Sequence, residues 1–121
     1  MLKTVHPLIQ ICRVYTPPQE KKGTWILVDK LWPRGLKKEE LAFDSWLKEI
    51  APSTTLRIWF HQDPNKRWQE FTKRYIEELK TQTSLLEQIR QLAQQQAVTL
   101  FYAAKDKEHN HALVLQSILN S

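Results

Sequence analysis

Apolar and polar segments alternate along the chain in a pattern that predicts strands and helices in turn. Residues 8–15 are rich in β-branched and aromatic side chains and predict a first strand. Residues 25–28 form a continuous apolar run, which is typical of a strand buried on both faces. Residues 98–103 show the strongest strand pattern in the chain. These three segments are the candidates for a sheet.

Proline and capping residues divide the middle of the chain into helices. Residues 38–47 predict a helix, which must end before Pro52 because the residue that precedes a proline is driven out of the helical region. Ser53 can accept a backbone hydrogen bond and is a suitable N-cap for a short helix that reaches Phe60.

A longer amphipathic helix is predicted from Asp63-Pro64 to about residue 80. Aspartate supplies an acceptor at the N-cap, and proline is favoured at the first helical position because the N–H that it lacks would have no partner there. The helix is expected to bury one stripe of apolar residues, which consists of Trp68, Phe71, Tyr75, Ile76 and Leu79.

Two further helices flank the last strand. One begins at Ser84 and is predicted to bury Leu85, Ile89, Leu92 and Ala93. The other is N-capped by Asp106 and is predicted to bury Ala112, Leu115, Ile118 and Leu119. Because strands and helices alternate, we expect an α/β fold over residues 1–121, a single small domain with a largely parallel sheet flanked by helices.

Composition narrows the classes of function. The chain has 121 residues and a net charge of +5, which favours an anionic partner. It has only two glycines, Gly23 and Gly35, and so cannot build the glycine-rich phosphate loops of many nucleotide-binding proteins. Side chains must therefore bind any anion. The single cysteine, Cys12, excludes an intramolecular disulfide and a thiolate metal cage.

The sequence also bears on location and partners. No apolar run approaches the roughly 20 residues that span a bilayer, and the N-terminus has no apolar signal-peptide core. We therefore expect a cytoplasmic protein with no membrane partner. An anionic small molecule is the first candidate partner, and a nucleic acid is the second. The sequence identifies no cofactor and no oligomeric state.

Two predicted strands end in dense polar clusters. Residues 29–35 follow the apolar run 25–28, and residues 105–111 follow the strand pattern that begins at residue 98. In open α/β sheets, ligands bind outside the carboxyl ends of the strands, so these clusters predict a site. The candidate catalytic residues are His111, His61, Asp29 and Asp106. The candidate substrate-binding residues are Arg34, Arg57, Lys105, Trp32, Asn110 and Lys30.

The residue types in this set suit acid–base chemistry on an anion. Arg57 and His61 are four residues apart and can share a helix face, where a guanidinium binds phosphate or carboxylate and an imidazole moves a proton. His111 follows a predicted helix start, where the dipole disfavours the imidazolium and favours a neutral base. The alternatives are structural. Asp29 could pair with Arg34 and hold its loop, and the pair on the helix could be merely exposed.

A metal site is a weaker hypothesis. His109 and His111 are two residues apart, so on a helix their side chains point about 200° apart and cannot share an ion. An alternative ligand set consists of Asp106, Glu108, His111 and His61. Polar residues at such a position more commonly cap a helix, so no metal is assigned.

The chain carries the motifs RVY at 13–15, DKLWPRG at 29–35, WLKEIAPS at 46–53, LRIWF at 56–60, DP at 63–64, YAAKD at 102–106 and HNHA at 109–112. In this order and spacing they closely resemble the YeaO-like proteins, a bacterial family with a domain of unknown function (488). The resemblance covers roughly residues 8–119. It implies a small α/β domain in a bacterial cytoplasmic protein and implies no reaction. Lys30 stands where that family more often has arginine, and lysine keeps the charge but loses the bidentate fork.

Two functions and one structural interpretation follow. The first function is a small enzyme that binds a phosphate- or nucleotide-like substrate at the strand ends and catalyses hydrolysis or group transfer. The second is a nucleic-acid-binding or regulatory module that combines basic charge with stacking side chains. The candidates for stacking are Trp32, Trp59, Trp68 and Tyr75. In the structural interpretation, the polar clusters only stabilise loops.

Overall fold

A parallel sheet lies at the centre of the protein, which a computed structural model describes from residue 9 to residue 121. The strands within this range are β1 (Gln10–Arg13), β2 (Thr24–Leu27), β3 (Ser45–Trp46) and β4 (Val98–Tyr102). Their order in the sheet is β1-β4-β2-β3, and every neighbouring pair is parallel. The last strand in the sequence therefore lies between the first two, and the predicted α/β class is confirmed.

The helices within the same range are α1 (Thr54–His61), α2 (Pro64–Leu79), α3 (Thr83–Ala93) and α4 (His111–Leu119), with single 3-10 turns at Lys38–Glu40, Lys48–Ile50 and Lys80–Gln82. The side chain of Ser53 accepts a hydrogen bond from the backbone N–H of Leu56 at 3.2 Å. Asp63 accepts one from the N–H of Lys66 at 3.4 Å, directly before Pro64. The predicted N-caps of α1 and α2 are thus confirmed. No helix of residues 9–121 has the length and apolar character needed to cross a membrane.

The two faces of the sheet are covered differently. Side chains alternate along β2, so Ile26 and Val28 pack against α1 to α4, whereas Trp25 and Leu27 point the other way. We call the first side the helix face. The second side, which we call the aromatic face, is covered by residues 32–43 and contains Trp25, Trp32, Phe43, Trp46 and Phe101. The described helices therefore flank one face of the sheet only.

The prediction of a helix over residues 38–47 is wrong. The backbone groups that a helix would pair internally bind to β2 instead. The N–H of Asp44 donates to the carbonyl of Trp25 at 2.8 Å, and the N–H of Leu47 donates to the carbonyl of Leu27 at 2.9 Å. The segment consequently becomes one 3-10 turn and the short strand β3. Pairing with a distant strand overrides local helical propensity here.

The last helix also begins differently from the prediction. Its N-cap is Asn110, whose side-chain oxygen accepts the backbone N–H of the third helical residue at 3.0 Å. Asp106, the predicted cap, instead accepts the N–H groups of Glu108 and His109 at 2.9 and 3.0 Å and closes a turn before the helix. Both residue types cap helices well, so the choice between them depends on where the chain turns.

The remaining boundaries differ by a few residues. β1 is shorter than the predicted 8–15, and residue 8 itself lies outside the described part of the chain. α3 buries Leu86 rather than Leu85. Ile76, predicted to lie in the buried stripe of α2, is 37% exposed. The stripe of α2 is therefore narrower than its sequence indicates.

Candidate functional site

A cavity of about 300 Å³ lies at the carboxyl ends of β2 and β4, on the helix face. Its polar wall consists of Asp29, Lys30, Arg57, His61, Lys105, Asn110 and His111. Its apolar wall consists of Leu31, Ala51, Pro52, Phe60, Phe71, Ala103 and Ala104. The polar clusters that follow the two strands therefore meet in one place, together with two residues from α1.

Asp29 connects the two strand ends. It follows β2, and its Oδ2 accepts the backbone N–H of Ala103, just after β4, at 3.0 Å. Its other oxygen, Oδ1, lies 3.1 Å from Nε2 of His111. Both side chains are mostly buried, with 16% and 14% of their surfaces exposed. A carboxylate at this position fixes the distance between the two halves of the site.

One ring nitrogen of His111 has a defined role as a donor. Its Nε2 lies 3.0 Å from the carbonyl oxygen of Val28 and 3.1 Å from Oδ1 of Asp29, and neither of these oxygens can donate a hydrogen bond to it. Nε2 must therefore carry a proton. The single N–H points at the carbonyl, so Oδ1 of Asp29 is buried without a hydrogen bond among residues 9–121. Such an orphaned acceptor is costly and is commonly found at functional sites.

Helix α1 contributes Arg57 and His61, one turn apart on the side that faces the cavity. Burial lowers the pKa of His61, and the nearby Arg57 and His111 lower it further. The carboxylate of Asp29 acts in the opposite direction with a smaller effect. His61 is therefore uncharged at neutral pH, and the predicted shared helix face of the pair is confirmed.

Three cations of the wall have no carboxylate partner among the residues that the structure describes. None of Lys30, Arg57 and Lys105 forms an ion pair within 4.0 Å among residues 9–121. The Nε of Arg57 is moreover buried without a hydrogen-bond partner in that range. The carboxylate among the lining residues, Asp29, accepts the N–H of Ala103 through Oδ2 and lies beside His111 through Oδ1. The cavity therefore carries a net positive charge, which attracts anions.

A buried tyrosine, predicted from the sequence for the apolar stripe of α2 and named as a stacking candidate, supports this wall. The hydroxyl of Tyr75 donates a hydrogen bond to the carbonyl of Ile50, and its ring lies edge-on to His111 with centroids 6.1 Å apart. Burial raises the pKa of Tyr75 well above its usual value, and Asp29 and Glu78 raise it further. The hydroxyl therefore stays protonated. The sequence held one indication of this role, since Tyr75 lies in the apolar stripe of a helix and a buried phenol hydroxyl needs a hydrogen-bond acceptor.

Two predicted binding residues lie outside the cavity. Trp32 packs against Phe43 and Trp46 on the aromatic face, and its indole N–H donates to the carbonyl of Leu36 at 2.6 Å. Arg34 is exposed and does not line the cavity. The reason is the path of the chain, which crosses to the aromatic face after residue 31. Neither residue is placed to contact a ligand that the cavity holds.

Asp106, a predicted catalytic residue, also does not line the cavity. Its hydrogen bonds to the N–H of Glu108 and to His109 lower its pKa and hold the loop before α4. No group of three or more His, Cys, Asp and Glu side chains in the described part of the chain could hold a metal ion. The alternative ligand set of Asp106, Glu108, His111 and His61 is therefore not assembled.

Comparison with known proteins places the chain among uncharacterised bacterial relatives. It is 45% identical over 113 residues to the uncharacterized protein YeaO of Escherichia coli, a match that covers 93% of this chain and 97% of that protein. It is 38% identical over 112 residues to the uncharacterized proteins Rv3073c of Mycobacterium tuberculosis and Mb3100c of Mycobacterium bovis, with 93% of each chain covered. No solved structure matches the chain.

A model of one protein family matches the chain. It spans residues 8–121, nearly the whole chain, and carries the description "Inactive DUF488-N3 subclade". Together with the similarity to YeaO, it confirms the resemblance drawn from the sequence motifs. The chain belongs to the DUF488-N3i family.

Proposed function

We propose that the protein binds a small organic anion in the strand-end cavity and does not convert it. One observation carries the proposal: Lys30, Arg57 and Lys105 surround the cavity without carboxylate partners within residues 9–121. Arg57 is half-buried, and its Nε has no hydrogen-bond partner among the described residues, so a bound anion can supply the acceptor that it lacks. The family description "inactive" supports binding without turnover.

The chemistry of the wall favours a phosphate or carboxylate group. A guanidinium can bind two oxygens of such a group at once, and the two ammonium groups add charge without fixing geometry. The N-terminus of α4, at Asn110 and His111, also lies at the wall, and the positive end of a helix dipole attracts anions. The apolar wall then contacts the uncharged part of the ligand. Phosphorylated metabolites and nucleotides meet both requirements.

The enzyme hypothesis shares the ligand class but adds proton transfer. His111 beside Asp29 has the arrangement of an acid–base pair, and His61 is uncharged at neutral pH. Asp106 is left out of this version because it does not line the cavity. Turnover of the bound anion would support the enzyme over the binding protein.

The nucleic-acid alternative is not favoured by three of the four aromatic residues named for it; the fourth, Trp59, is half-buried beneath Arg67 and Arg74. Tyr75 is fully buried, and Trp32 and Trp68 pack within the protein. Along α2, the cations Arg74 and Lys80 pair with acidic neighbours one turn away. A mixed-charge surface of this kind offers little net attraction to a phosphate backbone.

The test is ligand binding measured by thermal melting and calorimetry. A phosphosugar and a nucleoside monophosphate should raise the melting temperature at both low and high salt, with no product formed. Arg57→Met should weaken binding by about 10- to 100-fold, because a hydrogen bond to a charged group is lost. Arg34→Met is the matched control and should leave affinity unchanged, since Arg34 lies outside the cavity.

Two outcomes would contradict the proposal. If no anion of the panel stabilises the protein, the cavity is not an anion site. If Arg34→Met weakens binding as much as Arg57→Met, the attraction is a general effect of net charge.

A further inference from the structure

We infer that Arg13, at the carboxyl end of β1, is a positioning residue of the anion site. It acts through the backbone of residues 103–104, which join β4 to Lys105. The inference rests on the proposed function and names a residue that supports the cavity without lining it. Arg13 is the first residue of the motif RVY, to which neither polar cluster gives a role.

The backbone hydrogen bonds that pair β4 with its neighbours end where the cavity begins. The N–H of Val14 donates to the carbonyl of Tyr102 at 2.8 Å, and the N–H of Val28 donates to the carbonyl of Phe101 at 3.0 Å. Residues 103–104 come directly after β4 and line the cavity. Side chains, rather than a neighbouring strand, hold the backbone there.

Two side chains hold this segment from its two sides. Oδ2 of Asp29, after β2, accepts the N–H of Ala103 at 3.0 Å. Nε of Arg13, in β1, donates to the carbonyl of Ala104 at 3.0 Å. The two bonds come from opposite sides because β4 lies between β1 and β2. The carbonyl of Ala104 shares a rigid peptide plane with the nitrogen and Cα of Lys105, so the bond from Arg13 fixes the point from which that cation reaches the cavity.

The guanidinium of Arg13 is itself held in place. Arg13 is half-buried, and its guanidinium carbon lies 4.8 Å from the centre of the Tyr15 ring. The hydroxyl of Tyr15 donates to the carbonyl of Arg34 at 2.7 Å, which ties the ring to the loop that follows β2. A guanidinium is attracted to an aromatic face, and its planar group loses little freedom when it donates a hydrogen bond. The motif RVY therefore contacts the backbone of both polar clusters.

Loss of the bond from Arg13 should weaken anion binding through Lys105. Without it, the peptide plane between residues 104 and 105 is free to rotate, and the ammonium group is less often beside the anion. Contacts that belong to one network of this kind are coupled in their effect on affinity. A long-range attraction from the charge of Arg13 would instead act whether or not Lys105 is present. A double-mutant cycle separates the two explanations.

The experiment is calorimetric titration of the full chain with inorganic phosphate in four forms, which are the wild type, Arg13→Met, Lys105→Met and the double variant. We expect Arg13→Met alone to weaken phosphate binding by about threefold to tenfold. In the Lys105→Met background, the same substitution should change affinity by less than about twofold. Equal losses in the two backgrounds would overturn the inference, and so would no loss in either.

Arg90→Met is the matched control. Arg90 is also half-buried and donates to a backbone carbonyl, that of Ile118 at 3.2 Å, but it does not line the cavity. This variant should unfold at a lower urea concentration and bind phosphate as the wild type does. A loss of affinity equal to that of Arg13→Met would show that general destabilisation weakens binding, and the inference would be wrong.

A second variant covers the case in which Arg13→Met does not fold. Arg13→Lys keeps the positive charge but has a methylene in place of Nε, so it should show the same dependence on Lys105 in the cycle. Phosphate binding by the wild type without this dependence would overturn the inference and leave the anion site intact. If the wild type binds neither inorganic phosphate nor the phosphosugar and nucleoside monophosphate, the proposed function itself is wrong.

Discussion

The two faces of the sheet differ in whether their polar side chains have hydrogen-bond partners. On the aromatic face, the indole N–H of Trp32 donates to the carbonyl of Leu36, and that of Trp46 donates to the carbonyl of Asp29, both at 2.6 Å. On the helix face, Arg57 has a buried Nε without a partner among the described residues. A face that satisfies its own polar groups is built for stability. An unsatisfied buried group calls for a further partner, and the helix face is where we propose that a ligand supplies it.

Of the substitutions that test this comparison, one on the aromatic face is expected to change stability the most. Phe101 is fully buried between Trp25 and Phe43, with ring centroids 4.7 and 5.3 Å apart. Phe101→Ala should lower the free energy of unfolding by about 3–5 kcal/mol, because it removes buried surface and leaves a cavity. Urea denaturation measures this loss. Ile58→Ala, at a site 53% exposed, is the control and should change stability by about 0.5 kcal/mol or less.

A loss below about 1 kcal/mol for Phe101→Ala would show that the aromatic face collapses around the gap and is not a rigid layer. The stability role assigned to that face would then be wrong. Where the alanine variant is too unstable to purify, Phe101→Leu provides a milder change in the same direction.

An intermediate effect on stability is expected from loss of the buried hydrogen bond that Tyr75 makes on the helix face. Tyr75→Phe removes the hydroxyl that donates to the carbonyl of Ile50 and leaves that buried acceptor unpaired. The free energy of unfolding should fall by about 1–3 kcal/mol, measured by the same denaturation. The phenylalanine ring still packs against His111, so phosphate affinity should change little. A large loss of affinity with unchanged stability would make Tyr75 part of the binding site rather than its support.

The smallest expected effect is a pH dependence of stability that arises from His61 on the helix face. The folded-state pKa of His61 lies below its unfolded value, so the unfolded chain binds the proton more readily. Stability from this group is fully present above an unfolded pKa of about 6.5. It decreases as the pH falls from there toward the folded pKa. His61→Asn should remove this part of the pH dependence of unfolding.

Protonation of His61, which lowers the stability of the fold, should strengthen the binding of an anion. Protonation of His61 adds a positive charge to the cavity wall, so anion affinity should rise as the pH falls below about 6.5. Calorimetry with sulfate, whose own charge stays constant over this range, measures the effect. An equal rise in His61→Asn would assign it to another group.

Local signals in the sequence were sufficient for much of the fold. The acceptor-proline pair at Asp63-Pro64 and the cap at Ser53 specify helix starts without help from the rest of the chain. The apolar runs of β2 and β4 are likewise local. The segment 38–47 failed because its hydrogen-bond partners lie about twenty residues earlier in β2, and no local pattern encodes that pairing.

The sequence predicted the two polar clusters that line the cavity, but it named only part of the lining correctly. The rule that ligands bind beyond strand ends pointed to both polar clusters but left open whether they meet, and it is the structure that brings Asp29 and Lys105 to one cavity. The rule could not tell that the chain crosses to the other face after residue 31, which separates Lys30 from Arg34. It also gave no reason to choose between Asp106 and Asn110 as the helix cap. These choices depend on three-dimensional paths rather than on residue type.

The position of β4 between β1 and β2 has a consequence for synthesis of the protein. Within the described residues, β1 pairs with β4 alone, and β4 begins about 85 residues after β1 ends. At ordinary translation rates, that interval takes roughly 4–17 s. Throughout it, β1 and one side of β2 present unpaired backbone groups, and such exposed edges favour aggregation. The nascent chain is therefore expected to need chaperone protection until β4 has left the ribosome.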